Sequence, residues 1–254
     1  IAGKQLGVDD ERNLFPQALR LIREARPAAV MLENVPGFAT QRFSTYRTDL
    51  ICRLQKMGYE VDWRILNASD FGVPQLRPRF VLVAMKRRYF ARYQWPIATG
   101  GAPTIGDTLS DLMALRGWPG ADRWRENAQV IAPTLVGGSK KHGGPDLGPT
   151  RAKEQWKSLG VDGLGIANEP PDEAFPMDGR PRLTLRMTAR LQAFPDDWEF
   201  AGGKTAAYRQ IGNALPPPVA QAIGAAMKDA LDGTSIHNRP AKEAPLIQPV
   251  LMLA

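Results

Sequence analysis

The stretch GYEVDWRILNASDFGVPQLRPRFVLVAM, Gly58 to Met85, carries the pattern that decides the fold. Its first half alternates. Tyr59, Val61, Trp63 and Ile65 fall on one side of an extended chain, and Glu60, Asp62 and Arg64 on the other, which is the two-residue period of a strand. The turn-rich NASDFGVP interrupts it, and a second strand is predicted over Arg79 to Met85. Working upstream, Tyr46, Leu50, Leu54 and Met57 form one helical stripe, with Gly58 at the expected C-terminal stop. Before that helix, Ala28 to Leu32 is a short apolar run suited to a buried parallel strand. It ends abruptly in ENVPGF, where Pro36 and Gly37 enforce a loop. Further upstream, Leu14, Ala18, Leu21 and Ile22 recur at helical spacing behind Asp9 and Asp10, and Pro27 closes that helix. Helices alternating with strands predict an α/β sheet, whose ligand-binding loops sit at strand ends.

Downstream the composition changes at the basic cluster Lys86, Arg87 and Arg88. Residues 96–181 hold 14 glycines and 10 prolines, yet Trp118, Trp124 and Trp156 are interspersed among them. The segment is therefore expected to be a loop-rich module that orders on a ligand. Regular structure returns in LTLRMTARLQAFP, where Met187, Leu191 and Phe194 share a helical face that Pro195 ends. A final helix starts in the triple proline Pro216 to Pro218 and carries Val219, Ile223 and Met227. The expected division is 1–85, 86–204, 205–232 and an irregular tail, 233–254.

A chain of 254 residues allows one large domain or two modest ones. Lys and Arg number 33 against 26 Asp and Glu, a net +7, which favours polyanionic partners. No apolar run approaches the ~18 residues of a membrane span, and IAGKQLGVDDERN has no hydrophobic signal core. A cytoplasmic chain is the expectation. The first residue is not Met, so processing, truncation or omitted upstream sequence stays open. One cysteine and two histidines exclude a disulfide scaffold or a Cys/His zinc cluster made within the chain, and no metal site is expected.

Four places carry candidate chemistry, and each also has a plainer role. Glu33 is a carboxylate at the carboxyl end of a strand, where open α/β sheets bind ligands; fixing the loop or capping a helix accounts for it as well. In QLRPR, Gln75 to Arg79, Arg77 and Arg79 alternate and so project from one face of an extended segment. Beside a strand-end carboxylate they suit an anion or a polar base edge; on spacing alone an ordinary surface ion pair accounts for them first. In GGSKKHGG, Gly137, Gly138 and two further glycines let backbone approach a ligand, while Ser139, Lys140, Lys141 and His142 offer donors. A solvated loop has the same composition. Finally, in YRQIGNALPPP, Gly212 and Asn213 make a turn before a proline-started helix whose N-terminal amides suit a polar ligand. A plain start to that helix needs no more.

Order and wording together go further. The pieces ENV (Glu33 to Val35), GYEVDWRILNASDFGVPQLRPR (Gly58 to Arg79), RLTLRMTARLQAFPDDW (Arg182 to Trp198) and YRQIGNALPPPVAQAI (Tyr208 to Ile223) resemble the motifs of DNA (cytosine-5) methyltransferases, in the family's order. The resemblance covers nearly all of the chain up to about residue 230. It implies part of a Rossmann-like S-adenosylmethionine methyltransferase sheet with a smaller loop-rich target-recognition domain, acting on double-stranded DNA, in a bacterial restriction-modification system and on the nucleoid. In this chemistry a cysteine thiolate adds to carbon 6 of a flipped cytosine. By resemblance Glu33 holds ring nitrogen 3 and the exocyclic amine. Arg77 and Arg79, with Gln75 beside them, orient the glutamate and hold the ring carbonyl. Asn213 and Ala214 help close the S-adenosyl-L-methionine pocket. Lys4 and Gln5, in IAGKQLG, resemble the start of the mobile loop on the DNA side, and the loop from Gly137 to His142 is expected to touch DNA.

The chain departs from the family in one respect. The Pro-Cys nucleophile and the glycine-rich cofactor loop are not in it, and Cys52, mid-helix in DLICRLQ, has no comparable context. The expectation is a fragment or one half of a split enzyme, inactive alone and complemented by an N-terminal polypeptide. A non-catalytic DNA-binding remnant and a methyltransferase of transfer-RNA cytosine are the alternatives.

Overall fold

The structure is a computed structural model that describes residues 13–137 and 145–233. Helix α1 (Phe15–Ala25) leads into strand β1 (Ala29–Asn34), and helix α2 (Ser44–Lys56) into strand β2 (Tyr59–Asn67). A 3-10 turn over Ala68–Phe71 then turns the chain back into strand β3 (Pro78–Lys86), followed by the short α3 (Arg87–Phe90). The predicted strands are all present. On α1, however, the packed residues are Leu19 and Ile22, with Phe15 against them, while Leu14 and Leu21 are exposed.

The sheet order is β1-β3-β2, and β3 runs antiparallel to both neighbours. The expectation of a parallel pairing for β1 is thereby corrected. β1 and β2 point the same way, as a crossover through α2 requires, but β3 is inserted between them in reverse. β3 earns the central place by composition. Phe80, Leu82 and Ala84 on one face and Val81, Val83 and Met85 on the other are all fully buried. The first set packs with α1 and α2 through Leu19, Leu50 and Leu54. The second packs with Ala68, Phe71 and Val73 and with the last helix, α9 (Pro217–Asp232), through Val219 and Ile223. Proline at the start of α9 and left-handed Gly233 at its end bound that helix as its sequence requires.

The middle of the chain is helical: α4 (Ile105–Ala114), α5 (Ala121–Asn127), α6 (Thr150–Ser158) and α7 (Leu185–Leu191), with α8 (Lys204–Asn213) packed against α7. It has its own core, in which Trp118, Trp124 and Trp156 join Ile105, Leu109, Met113, Leu135, Met187 and Tyr208. The module thus has a packed interior of its own, built around the three tryptophans. Two local expectations also change. Phe194 lies beyond α7, which ends at Leu191, and Ala193 takes a left-handed φ of 58° between them. Gly212 and Asn213 close α8 rather than forming a turn, so the turn before α9 begins at Ala214.

Candidate active site

Glu33 is the fifth residue of β1, and its partner in register across the ladder is Val81. Arg79 lies two residues before Val81 on the same strand, so it is the diagonal neighbour of Glu33 on the same face of the sheet. The side chains meet there, with Arg79 Nε 2.8 Å from Glu33 Oε1. Arg79 also donates from its terminal nitrogen to the Pro78 carbonyl at 2.8 Å. The Arg79 side chain is 11% exposed and that of Glu33 28%, so the carboxylate is the half of the pair that faces outward. Burial raises the Glu33 carboxyl above the ordinary range, against the opposing pull of Arg79 and then Arg77. Burial likewise lowers the Arg79 guanidinium, and Glu33 opposes it.

Arg77 behaves differently. It precedes β3, is wholly buried, and directs its fork away from the strand ends into the junction with the helical module. One terminal nitrogen donates to the Leu135 carbonyl at 2.7 Å and to Gln75 Oε1 at 3.4 Å. The other donates to the carbonyls of Gly212 at 2.6 Å and Ala214 at 3.1 Å. Its backbone amide is held by Asn67 Oδ1 at 3.0 Å. Burial first, then repulsion from Arg79, lowers its guanidinium, while Glu33 and Tyr208 pull the other way.

Gln75 is equally buried. Its amide nitrogen donates to Leu191 O and to Gln192 Oε1, both at 3.1 Å, while its oxygen accepts from Leu135 N at 2.7 Å. Gln192 in turn donates to Ile211 O at 2.6 Å. The structure therefore brings Glu33 and Arg79 together at one face, and turns Gln75 and Arg77 inward. Asn67, Gln192 and the carbonyls of Leu135 and Gly212 complete this network. A polar amide directly after the apolar stripe of α7, at its C-cap, was the available signal for Gln192, and backbone carbonyls carry no signal at all.

At the end of α8, Asn213 Nδ2 lies 3.4 Å from the Gly137 carbonyl, and Ala214 caps the helix. Lys4, Gln5, Gly138, Ser139, Lys140, Lys141 and His142 lie outside the described residues, as does the tail from residue 234. Gly137, at the edge of that loop, is described and touches Asn213. Cys52 is exposed on α2. That helix packs on the opposite face of the sheet from Val81 and hence from Glu33. Among the described residues no helix is long and apolar enough to cross a membrane, and no cluster of His, Cys, Asp and Glu suits a metal ion.

The sequence pattern of the family described as C-5 cytosine-specific DNA methylase matches residues 1–229. The type II methyltransferase M.NaeI of Lentzea aerocolonigenes is 56% identical over 233 residues, which span 91% of this chain and 56% of the relative. The type II methyltransferase M.NgoMIV of Neisseria gonorrhoeae is 47% identical over 234 residues, spanning 91% of this chain and 73% of the relative. Two solved structures share the fold. A prophage-encoded DNA modification methyltransferase from Escherichia coli superposes with a TM-score of 0.53 at 20% identity, covering 84% of this chain and 72% of that one. The Entamoeba histolytica methyltransferase EhMeth gives 0.54 at 16% identity, covering 85% and 69%.

Proposed function

This chain belongs to the C-5 cytosine-specific DNA methylase family, and from that premise we propose that it supplies the glutamate, the arginines and the target-recognition module of a type II cytosine-5 methyltransferase acting on double-stranded DNA. The observation that carries the reading is the Glu33–Arg79 pair at 2.8 Å, part-buried at the carboxyl end of β1. A cytosine ring accepts a nucleophile at carbon 6 only if the charge that develops on the ring is neutralised. A carboxyl raised by burial holds its proton to higher pH than a solvated one, which suits donation to ring nitrogen 3. Arg79 fixes the orientation of that carboxyl and supplies positive charge at the same face.

S-adenosylmethionine supplies the methyl group when bound. The residues present fit one wall of its site. Ala214 forms the turn between α8 and α9, its carbonyl is held by Arg77, and the exposed Asn213 amide stands beside it. The attacking thiolate and the remainder of that pocket come from outside these 254 residues, on a complementing N-terminal polypeptide or an upstream segment. The helical module, with the loop that contains Lys140 and Lys141, reads the DNA, and the protein works in the bacterial cytoplasm on the nucleoid.

The experiment is label transfer. The chain, alone and with the N-terminal half of a type II relative, is incubated with duplex DNA and methyl-labelled S-adenosylmethionine. The expected result is label on carbon 5 of cytosine in the complemented sample. Label on adenine, or duplex binding without transfer under every complementation, would overturn the proposal, and the second of these would favour a DNA-binding remnant.

A further inference from the structure

Two cores meet where the segment before β3 docks on the helical module, and the seam is unusually tight. Leu76 N donates to Ala132 O at 2.7 Å, and Ala132 N donates to Pro74 O at 3.1 Å. The Thr134 hydroxyl donates to the Leu76 carbonyl. On the other side of the seam, Gly137 lies against the end of α8. A Cβ on Gly212 would come 2.4 Å from Gly137 Cα and 2.8 Å from Gly137 N. A Cβ on Gly137 would come 2.3 Å from Asn213 Oδ1. Glycine at 212 lets backbone lie on backbone in this way, and a side chain at 137 would displace the Asn213 amide.

The Arg77 guanidinium spans the same seam. Its two terminal nitrogens serve different segments, one the Leu135 carbonyl in the module and the other the Gly212 and Ala214 carbonyls at the end of α8. Four of its donor contacts are thus spent on internal oxygens, and the side chain has no exposed surface. Arg79, by contrast, keeps partial exposure beside Glu33. A planar fork can bridge three carbonyls in fixed directions, whereas a lysine ammonium offers one mobile point.

We infer that Arg77 is a positioning residue: it fastens the helical module to the turn at Ala214. Its bearing on turnover rests on the methyltransferase reading, but the fastening itself does not. The consequence is that the module that reads DNA, the turn proposed for the cofactor and the base of β3 are held as one unit. Displacement of the module on DNA is then felt at Ala214 and at the strand carrying Arg79.

The test uses amide hydrogen exchange on the 254-residue chain, and turnover in the chain complemented as above. Leu135 N and Ala214 N are the reporters, since the first bonds to Gln75 Oε1 and the second to Gln210 O. In Arg77→Lys both reporters should exchange about 10-fold faster or more, while amides within β3 keep their protection. Turnover per folded molecule should fall about 10-fold or more, with an unchanged pH–rate profile because the charge is retained. In Arg79→Gln the reporters should be unchanged and the profile should move to higher pH, since Glu33 loses the cation that lowers its carboxyl. Gly212→Ala serves if Arg77→Lys fails to fold. It keeps the guanidinium, suits a helix, and forces the seam apart, so it should give the same exchange pattern. Wild-type exchange at Leu135 and Ala214 in the folded Arg77→Lys chain would overturn the inference, as would a shifted pH profile in that variant. If no complemented sample transfers methyl, the methyltransferase reading fails, and the exchange data alone still decide whether Arg77 is the fastening.

Discussion

Glu33→Gln is expected to separate activity from stability. The substitution preserves shape and can still accept a hydrogen bond from Arg79 Nε, now 2.8 Å from Oε1, but it has no proton to give. Loss of a general acid costs typically 100-fold or more in rate, about 2.7 kcal/mol of transition-state stabilisation. Stability follows a different balance. The folded-state carboxyl is raised above its ordinary 4.5, with burial the largest cause, and the attraction of Arg79 and Arg77 is already included in that outcome. The native state therefore holds a proton that the unfolded state has released, at pH values between the two. The stabilising contribution of this group is complete below about 4.5 and is lost as pH rises through the raised value. Glutamine, a neutral stand-in for the protonated acid, has no such loss. The variant should melt no lower than the wild type at pH 8, with any gain of about 1 kcal/mol visible as ~2–4 °C, and its advantage should shrink towards pH 5. Calorimetry on the chain at both pH values, beside label transfer in the complemented chain, makes the measurement. A variant melting several degrees lower at pH 8, with no change in the gap at pH 5, would refute the dominance of burial at Glu33. Near wild-type turnover would return Glu33 to a loop-fixing role.

Three further outcomes are expected. A polypeptide of these 254 residues alone should put no label into DNA above a no-protein control, because its one cysteine, Cys52, sits on the far side of the sheet from Glu33. Removing Lys140 and Lys141 together should weaken DNA binding and flatten its salt dependence by up to ~2 units of slope; an unchanged slope in a salt titration would mean that both lysines are merely solvated. Among the described residues β1 pairs only with β3, and Met31 on it is exposed, so the isolated chain should self-associate through that edge. Co-expression with the N-terminal half of a relative should suppress this, and a monodisperse monomer in sedimentation without such a partner would sink the idea.

The strands were legible because their signals are local. β2 announces itself by alternation, and β3 by a run buried on both faces. The insertion of β3 between β1 and β2 was not legible, since strand order depends on pairings between residues about 50 apart, such as Glu33 with Val81. In the module, glycine and proline density concealed helices that did carry start signals. Thr104 caps α4 by accepting from the Asp107 amide at 3.1 Å, a Thr-x-x-Asp pattern that stands in the sequence. The Glu33 and Arg79 positions could be reached from motif wording alone. The division of labour between Arg77 and Arg79 could not. Two-residue spacing placed both on one face, but β3 begins at Pro78, and the carbonyls that capture Arg77 lie 58 to 137 residues away along the chain.

The reversal of β3 has a direct bearing on the chemistry. In an antiparallel pair the start of one strand lies beside the end of the other, so the first residues of β3 stand next to the last residues of β1, with Asn34 opposite Phe80 and Glu33 opposite Val81. Had β3 run parallel to β1, its start would lie at the other end of a six-residue strand, ~13 Å from Glu33 at about 3.3 Å per residue. The diagonal placement that brings Arg79 Nε to 2.8 Å from Glu33 would then be lost. The same reversal leaves the residues just before β3 free to turn away from the sheet, and Gln75 and Arg77 use that freedom to enter the module. One short segment therefore carries an arginine to the glutamate and an arginine to the seam, two residues apart, because the strand it opens runs against both of its neighbours.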